Sequence, residues 1–275
     1  MGKKDEFVDF LKDKFDNITE IYDYDDGGQK LVYEGKHKDF GKIALKIIFI
    51  ENKNQLDRAI RELDIASKFN SKYFPEVKRY GSINFKGKRA LYIIEEFISG
   101  SNLNEILDKK EQLDLDETLF IGKELLKALS LLHNENLVHR DVKPKNIIIN
   151  KNRIVLIDFG IIRDLDAESL TNDLQPYGPM TYGYAAPEQI KNKKSIICNR
   201  TDLFAWGIVM YECINGYNPF LKNSSSGDEI ISKSCNYDPE RLECENQLFA
   251  SMIHKCLEKS LHRRPKSCEY LLNIL

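Results

Sequence analysis

The 275-residue chain lacks the features that would place it in a membrane or an oxidising compartment. Its longest apolar runs, residues 43–50 and 204–214, are interrupted by Lys46 and Glu212. Both fall well short of the roughly 20 apolar residues of a membrane-spanning helix. The start, MGKKDEFVDF, has no apolar segment of the secretory kind, and Glu6 stands where a myristoylation signal needs Ser or Thr. An excess of one charge is also missing. The chain has 41 basic and 43 acidic side chains, net −2, without the basic surplus that nucleic-acid binding draws on. The expectation is a cytoplasmic protein with no nucleic-acid and no membrane partner. The six cysteines include no C-x-x-C pair, and His254, Cys256, His262 and Cys268 match no standard zinc spacing, which leaves reduced thiols in or near a core.

What is present is an ordinary globular composition, 42 % apolar and 10 % aromatic. A chain of this length buries roughly three quarters of its unfolded surface. Phe7, Phe10, Leu11 and Phe15 recur at helical spacing within residues 1–16. Residues 31–38 and 42–49 are β-branched and aromatic around an Asp39-Phe40-Gly41 turn. Residues 54–69 read as a helix with Leu56, Ile60 and Leu63 on one side. Two further strands are expected at 77–85 and 89–97, before a hinge-like Ser99-Gly100-Ser101. Beyond residue 102 the pattern turns helical, at 116–133, 201–214, 247–257 and 266–275, with two brief strands at 147–150 and 153–157. Residues 222–227 read as a polar surface loop. The segregation of strands and helices predicts an α+β protein.

The segment with the clearest chemistry is HRDVKPKNIII, residues 139–149. Asp141, Lys143 and Asn146 share one tight loop between a long helix and a short strand pair. Phosphoryl transfer needs these three groups: a carboxylate to orient a hydroxyl and take its proton, an ammonium to offset charge, and an amide oxygen to ligate a metal. Seventeen residues after Asp141, IDFG offers Asp158 as a second hard oxygen donor.

With these residues in order, the chain resembles the eukaryotic-type protein kinases. HRDVKPKN is similar to their catalytic loop, Asp158-Phe159-Gly160 to their magnesium-binding triplet, and Ala186-Pro187-Glu188 to the close of their activation segment. The resemblance runs from about residue 17 to 275. It implies a bilobal protein-kinase-like fold: an N-terminal helical extension at 1–16, a small antiparallel β lobe with one main helix at 17–97, and a larger helical lobe at 98–275. It also implies ATP and Mg2+ as cofactors, with Asn146 and Asp158 on the metal. Lys46, fixed by Glu62, would bind the phosphates, and Gly27 and Gly28 would lie over them. Val32, Ala44 and Ile148 would enclose adenine, whose edge would meet the Glu96 carbonyl and the Ile98 N–H. In the family the residue at Arg264 pairs with that at Glu188, and the histidine at His139 packs under the loop. Lys143 and Thr181 resemble the serine/threonine form, which implies protein Ser/Thr hydroxyls as acceptors and autophosphorylation at Thr171 or Ser169.

Some positions depart from the family pattern. Asp25 and Lys30 stand where two of the three loop glycines are expected, so a pseudokinase scaffold that binds nucleotide with little turnover remains an alternative. Glu95 takes the position behind adenine, either pairing locally or pointing towards the Lys46–Glu62 region. Ala66 replaces a larger apolar residue, and Lys145 stands where kinases preferring basic substrates often carry Glu.

Overall fold

The β-branched first third of the chain forms a five-stranded antiparallel sheet. The computed structural model describes residues 3–27, 30–50, 52–68, 71–158 and 180–275, in two units, Met1–Ser99 and Gly100–Leu275. The first unit contains α1 (Lys3–Lys14), β1 (Ile18–Gly27), β2 (Lys30–His37), β3 (Gly41–Ile50), α2 (Lys53–Ala66), β4 (Val77–Phe85) and β5 (Lys88–Glu96), with strand order β1-β2-β3-β5-β4.

The period of two along these strands separates two chemistries. On one face Tyr33, Ile43, Leu45, Ile47 and Ile94 are buried, and α1 covers them with Phe7, Leu11 and, just past its end, Phe15. The ring of Phe7 meets Phe85 edge-on at 4.7 Å, and that of Phe15 meets Tyr92 at 4.9 Å. The helical spacing of those residues therefore docks α1 into a core, where each buried large side chain contributes about 1.5–3 kcal/mol. Cross-strand register defines the other face. Val32 pairs with Lys46 and Lys46 with Ile93, while Glu34 pairs with Ala44 and Ala44 with Glu95. These residues share one side of the sheet. The helix expected at 54–69 is Lys53–Ala66, with Leu56, Ala59 and Leu63 buried.

The second unit contains β6 (Ser101–Asn102), α3 (Leu103–Lys110), α4 (Leu115–Asn134), β7 (Ile147–Asn150), β8 (Arg153–Leu156), α5 (Pro187–Ile190), α6 (Asn199–Asn215), α7 (Gly227–Asn236), α8 (Gln247–Cys256) and α9 (Cys268–Leu272). Side-chain oxygens start several of these helices: Asp114 accepts the Glu117 N–H at 2.8 Å and Asn246 the Phe249 N–H at 3.0 Å. Helix α6 lies in the core with Phe204, Trp206 and Tyr211 buried. Trp206 donates its Nε1–H to the Gly122 carbonyl at 3.0 Å. A Cβ on Gly122 would sit 2.8 Å from Met210 Sδ, so glycine permits the close approach of α4 and α6. Two differences from the periodic reading have local causes. The last helix is only Cys268–Leu272, because Pro265 disfavours helix upstream and Ser267 caps it from there. Helix α7 was hidden by the polar run before it, whose last members Ser226 and Gly227 are in fact its cap and first residue.

Candidate active site

The second unit builds its reactive loop from the end of a β-hairpin. In β7 and β8, Ile147 pairs with Leu156, and the ladder continues as the Ile157 N–H donates to the Asn146 carbonyl at 2.9 Å. Asn146 and Asp158 therefore emerge at the same end of the hairpin. Asp158 has φ +63°, a left-handed conformation that turns the chain sharply there.

Asp202, in the first turn of α6, anchors residues 139–141 from below. Its buried carboxylate accepts the backbone N–H groups of His139 and Arg140, each at 2.8 Å, and contacts His133 Nε2 at 2.9 Å. Arg140 is held at φ +64°, which costs a non-glycine residue on the order of 1–3 kcal/mol. Burial pushes the Asp202 carboxyl up, but chiefly His133, with the Arg140 N–H, outweighs it and holds the group below the usual carboxylate range. The Cys268 thiol, kept protonated by burial, lies 3.4 Å from His133 Nδ1.

His139 is buried, and desolvation pushes its pKa down, so the ring is neutral. Nδ1 accepts the Asp141 N–H at 3.3 Å, which assigns the proton to Nε2, 3.2 Å from the Ile157 carbonyl. The ring thus ties the reactive loop to the strand end before Asp158 and has no proton-transfer role.

Above this support, polar groups converge on Asp141. Thr181 Oγ1 donates to Oδ1 at 2.9 Å. Oδ2 meets Lys143 Nζ and Asn146 Nδ2, each at 3.0 Å. Asn146 Nδ2 also donates to the Asp141 carbonyl at 2.8 Å, and Lys143 Nζ to Thr181 Oγ1 at 3.1 Å. The carboxylate is held by three side chains. The Asn146 amide nitrogen is committed to Asp141, so its carbonyl oxygen is the atom suited to a cation. Together with Asp158 this makes a hard-oxygen donor pair that fits a divalent ion completing its shell with phosphate and water.

The stretch from Ala186 to Gln189 is fixed to the same loop. Gln189 Nε2 donates to the Arg140 carbonyl at 2.9 Å, while its Oε1 accepts the Ala186 N–H at 3.1 Å. Glu188 forms a buried bidentate pair with Arg264 at 2.7 and 2.9 Å and also accepts Thr201 Oγ1–H at 2.8 Å. The pairing expected of these two residues is the one observed. Ser169, Thr171, Tyr177, Phe159 and Gly160 lie outside the described residues.

In the first unit, Lys46 forms a buried ion pair with Glu95. Val32 and Ala44 lie on the same side of the sheet. Gly27 closes the β1–β2 register opposite Lys30, while Gly28 lies outside the described residues. Glu62 is on α2, with its side chain outside the described set, as is that of Ala66. The Glu96 N–H is taken by the Glu76 carbonyl at 2.9 Å, and Ile98 is buried. In the second unit Ile148 pairs with Asn102 and Val155. A Cβ on Gly100, at φ +149°, would sit 2.5 Å from the Ile149 carbonyl oxygen, so only glycine fits there.

A family model described as the protein kinase domain matches residues 26–273. The chain belongs to this family. It is 27 % identical over 87 % of its length to a probable serine/threonine-protein kinase of Clostridium perfringens, covering 34 % of that protein. It is 26 % identical over 90 % of its length to the probable serine/threonine-protein kinase PknB of Lactococcus lactis, covering 39 %. It is 30 % identical over 94 % of its length to the serine/threonine-protein kinase dst2 of Dictyostelium discoideum, covering 22 %. The chain therefore spans between about a fifth and two fifths of the length of these relatives.

A protein kinase domain uses ATP and a divalent metal ion. Within this kinase domain the structure brings Asp141, Lys143, Asn146 and Thr181 into direct contact, with Asp158 at the same hairpin end. Asp202 and Gln189 also support the site. Both act on backbone groups of the loop, contacts that no side-chain pattern announces. Among the described residues no helix is long and apolar enough to cross a membrane.

Proposed function

We propose that this kinase domain transfers the γ-phosphoryl group of Mg2+-bound ATP to Ser or Thr hydroxyls of protein substrates. The observation that carries the reading is the Asp141 carboxylate held jointly by Thr181, Lys143 and Asn146. Asp141 accepts a hydrogen bond from the incoming hydroxyl at its carboxylate and takes that proton as the new bond forms. Lys143 Nζ, beside the same carboxylate, offsets negative charge at the reacting centre. The Asn146 carbonyl oxygen and the Asp158 carboxylate hold Mg2+, which neutralises phosphate charge when bound.

Lys46 takes the α- and β-phosphates, with Glu62 as its helix-borne partner. Gly27 and Gly28 cover them with backbone N–H groups. Within the first unit Val32 and Ala44 face adenine, and the Glu96 carbonyl and Ile98 N–H read its edge. The nucleotide-binding part is residues 17–97 and the substrate part 98–275. Lys145 favours acidic over basic residues near the acceptor by charge complementarity. Autophosphorylation falls on Thr171 or Ser169 and adds a dianion there. The compartment is the cytoplasm.

Incubation with radiolabelled Mg–ATP and a mixed protein substrate, followed by phosphoamino-acid analysis, tests the reading. Label on Ser and Thr is expected. Nucleotide binding without transfer would favour the scaffold reading, which rests on Asp25 and Lys30 replacing glycines.

A further inference from the structure

The Lys46–Glu95 ion pair is a product of sheet register. Lys46 lies opposite Ile93 and Ala44 opposite Glu95, so the lysine and the glutamate are diagonal neighbours on one face of β3 and β5. A diagonal separation of about 7–8 Å between backbones is bridged by two long side chains. The side chains of both are only 7 % exposed, so neither charge is screened by water. Glu34, on the same face, is engaged with Lys42 at 2.7 Å. Glu95 is thus a strand-borne carboxylate built into the sheet that carries the lysine. A carboxylate on α2 depends on where that helix docks, whereas one on β5 does not.

We propose that Glu95 is a positioning residue for Lys46, fixing the ammonium in the place where it meets nucleotide phosphates, independently of α2. The proposal rests on the kinase reading above. Three consequences follow from its geometry. Loss of the Glu95 charge weakens nucleotide binding, because the ammonium loses its strand-borne partner and gains alternative rotamers. The effect passes through Lys46 and vanishes when Lys46 is absent. In the protein without nucleotide, removal of Lys46 alone strands a buried carboxylate, and removal of both charges relieves it.

The test is a double-mutant cycle on the full chain, reading Mg–ATP affinity by calorimetry and apo melting temperature side by side. Glu95→Gln is expected to weaken Mg–ATP binding about tenfold, about 1.4 kcal/mol. In a Lys46→Met background the same change is expected to alter the residual affinity less than about twofold. Glu62→Gln is expected to weaken binding less than Glu95→Gln. Without nucleotide, Lys46→Met/Glu95→Gln is expected to melt above Lys46→Met, and if the single variant fails to fold, folding of the double variant counts as the same result. Unchanged affinity in Glu95→Gln, an equal loss with and without Lys46, a larger loss in Glu62→Gln, or a double variant no more stable than Lys46→Met would each overturn the proposal. Wild type that binds no Mg–ATP would overturn the kinase reading as well. Wild type that binds normally beside an unaffected Glu95→Gln would overturn the positioning role alone.

Discussion

Asp202→Asn probes the support beneath the reactive loop. The native carboxylate accepts two backbone N–H groups at 2.8 Å and faces His133 Nε2 at 2.9 Å, all in the interior. Bonds to a charged acceptor contribute about 1.5–3 kcal/mol each. The amide keeps one oxygen and turns two N–H donors towards groups that are themselves donors. One bond is lost and a donor is stranded, at a cost of about 2–4 kcal/mol. That is a lowering of the melting temperature by roughly 5–15 °C for a chain of this size. The local effect is larger than the global one, because Asp202 is what pins Arg140 at φ +64°. Once released, the backbone relaxes and carries Asp141 with it. A displacement of about 1 Å at a reacting group lowers turnover on the order of a hundredfold. The assays are urea unfolding and steady-state kinetics, with kcat falling while the KM for ATP stays within about twofold. Arg140→Gly in the Asp202→Asn background should recover part of the stability, since glycine adopts that φ without strain. A variant with unchanged urea midpoint and unchanged kcat would refute the assignment of Asp202 as the anchor.

Three further outcomes are expected. Arg264→Ala strands the buried Glu188 carboxylate and should cost about 3–5 kcal/mol by urea unfolding, whereas Arg264→Met/Glu188→Leu should cost less. Burial lowers the pKa of His139 below 6.5, so the unfolded chain binds a proton that the folded chain refuses. Its contribution leaves stability intact above about pH 6.5 and erodes it as the pH falls from there through the lowered folded value, and His139→Asn should flatten that limb of a stability–pH profile. Leu11→Ala should cost about 2–5 kcal/mol in a denaturant titration, because α1 fills the core of the sheet it covers.

Much of the architecture was legible in the sequence where a physical signal is local. β-Branched runs marked β2 to β5 within a residue or two, and the spacing of Phe7, Leu11 and Phe15 marked α1, though not the sheet face that receives it. The reactive loop was legible because Asp141, Lys143 and Asn146 are close in the chain and act together. Glu95 could be placed behind adenine, but its pairing with Lys46 is decided by register between β3 and β5, which a linear pattern does not fix. Asp202, Gln189 and His139 act through backbone N–H and carbonyl groups, which every residue carries, so nothing in their neighbours' identities signals the contact. Helix α7 was obscured because Ser and Gly serve equally in loops and at helix starts.

The most direct test of the central claim, that the Asp141 carboxylate held by Thr181, Lys143 and Asn146 orients and deprotonates the acceptor hydroxyl, is single-turnover phosphoryl transfer by wild type and Asp141→Asn at equal Mg–ATP occupancy. The transfer rate should fall about 10²–10⁴-fold in the variant with nucleotide affinity unchanged. A variant that transfers phosphate at the wild-type rate would contradict it.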